Sequence, residues 1–520
     1  MTANQGATTP IVETQYGPIR GLSERGVLSF RGVPYGGPTE GAGRFLPPRP
    51  PQPWTGVRDA TLPGPPSVQP PYPASSIIAA PIIGEYFGGG RPERLSLPPQ
   101  TASENCLNLN ALTPACEGSR PVLVYIHGGG LVTGSGSITL LGDGLVREQD
   151  VVLVGVNHRL NVFGYAYLGG LSARYAVGNV GQLDLVAALT WIRDNIAAFG
   201  GDPANVTLFG ESGGGAKIGA LMAMPAAQGL FHRAIVQSGS MVLGTDPDEA
   251  TGAARALLGR LDISEQNVDR LQDVPAEELF RAAMPAPGQG NAGIPPLRMG
   301  VVVDGHTLPA TPWQDAAPPE SAHVPMLIGC CRDEATLFSR DRARLYALDW
   351  STLRDALVEE EMTAEAADAL VAIYRRDDPQ ASPSDLYFRI RTDRTLRAAT
   401  VRQAERQLAQ GQSHVYLYQF RWQPPLGDGQ LRAFHTAELP LALRLVRYPE
   451  SDQLSRQIAG AWAAFARTGD PTHAELPHWP AYDPARRATM LFDLPASRPV
   501  DDPDGEARRF LLDWPHTAFL

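Results

Sequence analysis

Ser212 is placed to act as a nucleophile. It lies in Gly210-Glu211-Ser212-Gly213-Gly214, a G-x-S-x-G turn closing the apolar run Thr207-Leu208-Phe209. A sharp turn from strand into helix lifts such a serine out at the carboxyl edge of a sheet, and its neighbours must lack bulk. The N-terminal N–H groups of the helix starting at Gly213 then face any oxyanion formed there. The chemistry within reach is attack on a carbonyl followed by acyl transfer. The turn alone does not establish it, because the chain has 53 glycines among 520 residues.

A serine hydroxyl also needs a base, an orienter for that base, and donors for the oxyanion. For the donors, Ile126-His127-Gly128-Gly129-Gly130 follows an apolar run upstream of the turn. Three glycines leave backbone N–H groups unobstructed, and the N–H of Gly213 completes a hole for a tetrahedral intermediate. For the base there are ten histidines. The order serine, acid, histidine leaves His232, His306, His323, His414, His435, His473, His478 and His516. His435 lies in Ala433-Phe434-His435-Thr436-Ala437-Glu438-Leu439, after the Val415–Phe420 run, where a loop can return over the sheet edge. His414 precedes that run and so falls at the opposite end, and His473 and His478 lie in a Pro-rich tail. For the acid, Arg332-Asp333-Glu334 ends the Val324–Cys331 run. Either carboxylate could orient His435, and position does not separate them.

The elements that must hold these groups alternate between strand and helix. Val122–Ile126, Val151–Val156, Val206–Phe209, Ala234–Val236 and Val324–Ile328 read as buried strands. Leu185, Leu189, Ile192, Ile196 and Phe199 recur at helical spacing, and Asp202-Pro203 is expected to break the chain before the turn strand. Strands separated by helices imply an α/β fold with a mostly parallel sheet covered on both faces. Residues 61–100, dense in Pro and Gly, read as a long mobile loop near an entrance. Residues 246–285 and 341–410 read as helical insertions over the sheet mouth, and a helix around Leu454–Arg467 ends at Gly469-Asp470-Pro471.

Composition narrows the function classes. The net charge is −11 and no basic run appears, which argues against a nucleic-acid binder. Met1–Pro10 lacks the charged and apolar regions of a secretory signal, and no apolar run reaches the ~18 residues a membrane span requires. Four cysteines in so long a chain (Cys106, Cys116, Cys330 and Cys331) read as reduced, which favours a cytoplasmic location. The sequon Asn205-Val206-Thr207 leads into the turn strand and reads as structural. A phosphate-binding reading of Gly210 to Gly215 fails, because Ala216 stands where lysine is required and Lys217 comes one residue late. The chemistry calls for no cofactor and no metal.

Taken together, the motifs resemble the type B carboxylesterase and cholinesterase family of α/β-hydrolases over about residues 11–495. The resemblance is carried by Phe30-Arg31-Gly32-Val33-Pro34-Tyr35, Ser103-Glu104-Asn105-Cys106-Leu107, the His127–Gly130 loop and Asn157-His158-Arg159-Leu160. It continues through Asn195–Pro203, the Ser212 turn, Val303-Asp304-Gly305, Asp333-Glu334, the His435 loop and Phe465–Pro471. It implies one α/β-hydrolase domain over 11–512 acting as a serine carboxylesterase. The implied triad is Ser212, His435 and Glu334, with Phe338 matching D-E-G-x-x-F. The implied oxyanion donors are Gly129, Gly130 and Gly213. Glu211 is implied as a buried residue linked to Ser238, and Leu131 and Val132 are candidates for shaping an acyl pocket.

The implied substrate is a small-molecule ester, with a carbamate or anilide as the alternative. Thr133–Gly136 and Gly469–His473 point toward bacterial members, including aryl carbamate hydrolases. A non-catalytic binding relative is a remote alternative, since such relatives lose the serine or histidine that this chain keeps. Three departures stand out. Gly213 replaces the usual alanine, so Gly213→Ala is expected to leave activity intact or change selectivity. Ala335 replaces the usual glycine. Ser67 replaces a cysteine that would pair with Cys106, which predicts an unclamped 61–100 loop.

Overall fold

The computed structural model describes residues 9–69, 86–87, 101–240, 244–284, 296–313 and 315–512. In chain order the first strands are β1 (Ile11–Thr14), β2 (Gly17–Arg20), β3 (Leu22–Glu24), β4 (Val27–Pro34), β5 (Arg58–Asp59), β6 (Asn108–Thr113) and β7 (Arg120–Ile126). They are followed by β8 (Val152–Val156), β9 (Gly201–Glu211), β10 (Arg233–Gln237), β11 (Met326–Cys331), β12 (Val415–Phe420), β13 (Ala488–Phe492) and β14 (Arg498–Asp501). β1, β2 and β5 form a small sheet; the other strands form an 11-stranded sheet in the order β3-β4-β6-β8-β7-β9-β10-β11-β12-β13-β14. Every pairing from β8 to β13 is parallel. The pairings at both flanks are antiparallel.

Side-chain alternation explains why these runs are mostly apolar on both faces. Val122, Val124 and Ile126 of β7 join one core with Leu185, Leu189 and Ile192 of helix α1 (Val180–Asn195). Leu123 and Tyr125 face the other core, where Ile458, Trp462 and Phe465 of helix α3 (Asp452–Thr468) pack. Between them in sequence, helix α2 (Gly213–Met222) follows β9 directly. Strands covered on both faces leave few polar positions, and each Val, Leu or Ile so buried contributes about 1.5–3 kcal/mol.

Asp202-Pro203 does not break the chain: both residues lie inside β9. The register jumps from the Arg120–Gly201 pair to the Val122–Val206 pair, so Pro203 occupies an irregular stretch of the ladder. A proline there forfeits no regular ladder bond. The expected helical insertions contain Pro247–Arg260 and Ala276–Ala283 in one segment, and Ala364–Asp377, Pro383–Thr392 and Ala398–Ala409 in the other. Each segment has its own apolar cluster, the first with Phe163 and the second with Leu511. Among the described residues, no helix is long and apolar enough to cross a membrane.

The described part of the 61–100 loop is held, contrary to the expectation from the missing cysteine. Polar contacts do the clamping. Asn108 Nδ2 donates to Pro65 O at 2.9 Å, Ser103 N to Pro66 O at 2.9 Å, and Leu160 N to Ser67 Oγ at 3.1 Å. Gln69 exchanges two 2.9 Å hydrogen bonds with the backbone of Gly134. Cys106 is buried and free. The rest of that loop, with Phe87-Gly88-Gly89-Gly90 placed near an entrance, lies outside the described residues except for Tyr86 and Phe87.

Candidate active site

Four adjacent parallel strands deliver the candidate groups to one edge. Ser212 follows β9, Ser238 follows β10, Glu334 lies beyond β11, and His435 lies in the loop beyond β12. Neighbouring strands lie about 4.8 Å apart, so residues well over a hundred positions apart can meet at their carboxyl ends.

Ser212 takes φ 57° and ψ −126°, a strained conformation for a residue with a side chain. Its N–H donates to Gln237 O at 2.8 Å, which ties the turn to β10. Helix α2 begins at the next residue, and Ser212 O accepts its first turn from Ala216 N at 3.2 Å. Ser212 is 7% exposed. The turn leaves no room beneath it: a Cβ on Gly214 would run into the carbonyl of Ile126 at the end of β7.

The two candidate acids separate cleanly. Glu334 is fully buried and its Oε2 pairs with His435 Nδ1. Its Oε1 accepts from Ser238 Oγ at 2.6 Å and from Cys331 N at 2.7 Å. Asp333 turns away: its Oδ2 accepts from Arg332 Nε at 3.1 Å and Ala433 N at 3.2 Å, while its own N–H donates to Ala433 O at 3.0 Å. Asp333 therefore clasps the loop that carries His435, and Glu334 holds the imidazole. The ring of Phe338 packs on that imidazole with centroids 4.8 Å apart.

Ser238 thus serves Glu334, not Glu211 as the resemblance implied. The chain leaving β10 leans toward β11, as the 2.8 Å bond from Ser238 N to Gly329 O records, and this carries the hydroxyl to the acid on that side. Glu211 instead places Oε1 3.2 Å from His435 Nε2. Burial pushes the Glu211 pKa up, and the carboxylates of Glu438 and Glu334 push the same way. Burial disfavours the His435 imidazolium, but Glu211 and Glu334 outweigh it and hold the His435 pKa above its ordinary value. With Nδ1 on Glu334, Nε2 is directed to the serine turn through Glu211, the residue directly before Ser212.

The His127–Gly130 loop lies against the same turn. Gly129 and Gly130 have φ 85° and 63°, a left-handed pair that any other residue would strain to adopt. Gly129 O accepts from Val132 N at 3.2 Å and Thr133 N at 3.1 Å, which closes the loop on itself. Among the described residues, the N–H groups of Gly129 and Gly130 donate to no backbone carbonyl. A Cβ on Gly128 would lie 2.8 Å from Glu211 O and 3.3 Å from Ser212 Cβ. On Gly213 it would meet three backbone atoms of Gly130, the carbonyl carbon at 2.6 Å. Gly213→Ala, expected to leave activity intact or change selectivity, would require the Gly130 backbone to shift. Here the oxyanion loop occupies the space that the alanine methyl would need.

Leu131 and Val132 follow this loop and are half-buried. Their carbonyls accept from Asn161, Leu131 O from the N–H at 2.6 Å and Val132 O from Nδ2 at 3.2 Å. Asn161 escaped the sequence reading, although its neighbours Asn157–Leu160 carried part of the resemblance. So did Glu438, three residues after His435. It accepts from Tyr418 OH at 3.1 Å, Gln237 Nε2 at 3.3 Å and Cys331 Sγ at 3.0 Å.

The sheet order, the serine turn and the groups gathered at its edge are those of an α/β-hydrolase. A family model described as the carboxylesterase family matches residues 8–508, and the chain belongs to that family. It is 36% identical to para-nitrobenzyl esterase of Bacillus subtilis (strain 168), over 97% of this chain and 99% of that protein. It is also 36% identical to phenmedipham hydrolase of Pseudarthrobacter oxydans, over 98% and 99%. The solved carboxylesterase of Geobacillus stearothermophilus superposes with a TM-score of 0.78 at 36% identity, covering 96% of this chain and 99% of that one. The protein is a carboxylic ester hydrolase.

Proposed function

We propose that the chain hydrolyses small-molecule carboxylic esters through an acyl-enzyme, with Ser212, His435 and Glu334 as the triad. Ser212 Oγ attacks the ester carbonyl while His435 Nε2 takes its proton. Glu334 fixes the ring through Nδ1 and stabilises the imidazolium. The N–H groups of Gly129, Gly130 and Gly213 receive the oxyanion, each such donor typically contributing about 3 kcal/mol to the barrier reduction. The tetrahedral adduct collapses, the C–O bond to the alcohol breaks, and His435 returns the proton to the leaving oxygen. Water then attacks the acyl-enzyme by the same route and releases the acid.

The observation that carries this reading is the Glu334–His435 pair, whose Nε2 lies 3.2 Å from the carboxylate of Glu211, the residue directly before Ser212. Purified protein should release p-nitrophenol from p-nitrophenyl acetate and butyrate, and Ser212→Ala should abolish it. Turnover retained in Ser212→Ala would overturn the mechanism. Leu131 and Val132 we assign to the acyl side of the pocket, and the two helical segments to its mouth. The single-domain organisation over 11–512 is part of the same proposal. So is a cytoplasmic location, in keeping with the four free cysteines.

A carbamate carbonyl could enter the same machinery. The 36% identity to phenmedipham hydrolase makes phenmedipham the first such compound to assay beside the esters. Turnover of phenmedipham above that of p-nitrophenyl butyrate would reverse the ranking of the two substrate classes.

A further inference from the structure

Lys217 is the single lysine in a chain with 44 lysines and arginines. Arginine supplies every other permanent side-chain cation, at the surface and in buried ion pairs alike. Arg159 with Asp184 and Arg44 with Glu104 are two of the buried pairs. The one amine lies on α2, four residues beyond Gly213, and is 0% exposed. Its Nζ donates to the carbonyl oxygen of His127 at 2.9 Å. Among the described residues it forms no ion pair with a carboxylate. Burial alone pulls its pKa down from 10.5 to about 7.

The groups that face Lys217 are two imidazoles from neighbouring loops. His127 follows β7 and His158 follows β8, and their rings stack with centroids 4.6 Å apart and planes 27° apart. Burial and the nearby Lys217 hold both rings well below their ordinary pKa, His127 to about 3. Both are neutral at pH 7, so neither offsets an ammonium. His127 Nδ1 lies 2.9 Å from Gly128 O, which folds the ring back over the start of the glycine run.

A buried amine with no carboxylate partner is costly, and an apolar side chain of similar length would cost less. Fold stability therefore gives no reason to keep it here. Its acceptor supplies one. The His127 carbonyl immediately precedes Gly128-Gly129-Gly130, and the helix that carries Lys217 starts at Gly213. The single hydrogen bond spans the two halves of the oxyanion hole. Three glycines in a row resist bending poorly, and no side chain of theirs can brace them.

We propose that Lys217 is the positioning residue of the oxyanion hole, gripping the His127 carbonyl so that the Gly129 and Gly130 amides stay aligned with that of Gly213. A compact amine on a flexible stem can end on one carbonyl beside two stacked rings, whereas the planar guanidinium fork used elsewhere in the chain requires a wider site. The inference rests on the triad reading above, because it assigns the loop to the oxyanion.

Two experiments test it. Lys217→Met removes the donor and keeps the length. It should lower kcat by about 10- to 100-fold, with KM changed no more than about threefold. Affinity for phenylboronic acid, which forms a tetrahedral adduct on the serine, should fall with kcat, and the thermal midpoint should hold or rise. Lys217→Gln, which keeps an N–H donor, should recover part of kcat. Full kcat and full boronate affinity in folded Lys217→Met would overturn the proposal.

The wild-type protein gives an independent readout, because lysine labelled with carbon-13 at Cε yields one resonance. It should move when phenylboronic acid binds, and stay in place in Ser212→Ala given the same compound. A wild-type resonance that ignores the adduct would overturn the proposal whatever the variants do. Should the wild type hydrolyse no ester, the proposed function fails. Should it hydrolyse esters as fast as Lys217→Met, only the role of Lys217 fails.

Discussion

The two sides of the active site are held by opposite means. On the acid–base side, side chains do the work. Glu334 takes bonds from Ser238 and Cys331 besides His435, Asp333 clasps Ala433, and Phe338 packs on the imidazole. On the oxyanion side, backbone meets backbone across missing methyl groups, with Gly130 against Gly213 and Gly128 against Glu211 and Ser212. The first side should fail when a polar atom is deleted; the second depends on one polar atom, Lys217 Nζ, and should otherwise fail when an atom is added.

The largest effect should follow deletion at Glu334. Glu334→Ala leaves His435 without its orienting carboxylate and should reduce kcat by about 10⁴-fold. Asp333→Ala removes the side-chain contacts to Ala433 N and Arg332, keeps the backbone bond to Ala433 O, and should cost far less, with part of the loss in stability. Initial rates on p-nitrophenyl butyrate, set beside thermal midpoints, would separate the two. Equal collapse of both variants would mean that the loop clasp matters as much as the ring partner.

Addition should come next. Gly213→Ala drives a methyl into the backbone of Gly130, and a displacement near 1 Å at an oxyanion donor can cost about 10²-fold in kcat. A crystal structure of the variant should locate the shift in residues 128–133 and leave the Glu334–His435 pair in place. A fully active variant would show that the loop yields freely and would remove the contrast between the two sides.

The pH profile probes the junction of the two sides, where Glu211 approaches His435. The base must be neutral to work, and Glu211 and Glu334 raise its pKa, so activity is lost as pH falls through that raised value. Protons are shared within such a pair, and the observed titration belongs to both groups. Glu211→Gln leaves Glu334 as the carboxylate bonded to the ring. The acid limb of kcat/KM should then move down by about one pH unit. An unmoved limb would mean that Glu211 is uncharged across the working range.

What the sequence disclosed follows the same division. Ser212 and His435 were legible because a turn motif and a place after a strand are local facts. The strands from Val122 to Phe420 were legible because burial on both faces leaves an unbroken apolar run. Asp333 and Glu334 could not be told apart by position, since adjacent residues differ only in which way the chain turns them. The partner of Ser238 was misassigned because it depends on which strand lies beside β10. Lys217 passed as a failed phosphate motif because one residue on a helix gives no sign of what it reaches. The contact of Gly130 with Gly213 was hidden, since no sequence pattern records the absence of space.

The smallest effect tests whether the acid–base side really leaves its backbone free. Thr436, directly after His435, has φ 78°, and its hydroxyl is buried with no partner among the described residues. A β-branched residue in left-handed geometry costs about 1–2 kcal/mol, and an unsatisfied buried hydroxyl adds about 1–3 kcal/mol. Thr436→Gly removes both and gives back about 1 kcal/mol in unfolded-state entropy. It should therefore stabilise the protein by about 1–4 kcal/mol in urea unfolding. With His435 fixed by Glu334 and Phe338, kcat should stay within about twofold. If kcat instead falls tenfold while stability rises, the strained backbone itself aims the imidazole. Both halves of the site would then depend on main-chain geometry, differing only in whether a glycine or a threonine bears it.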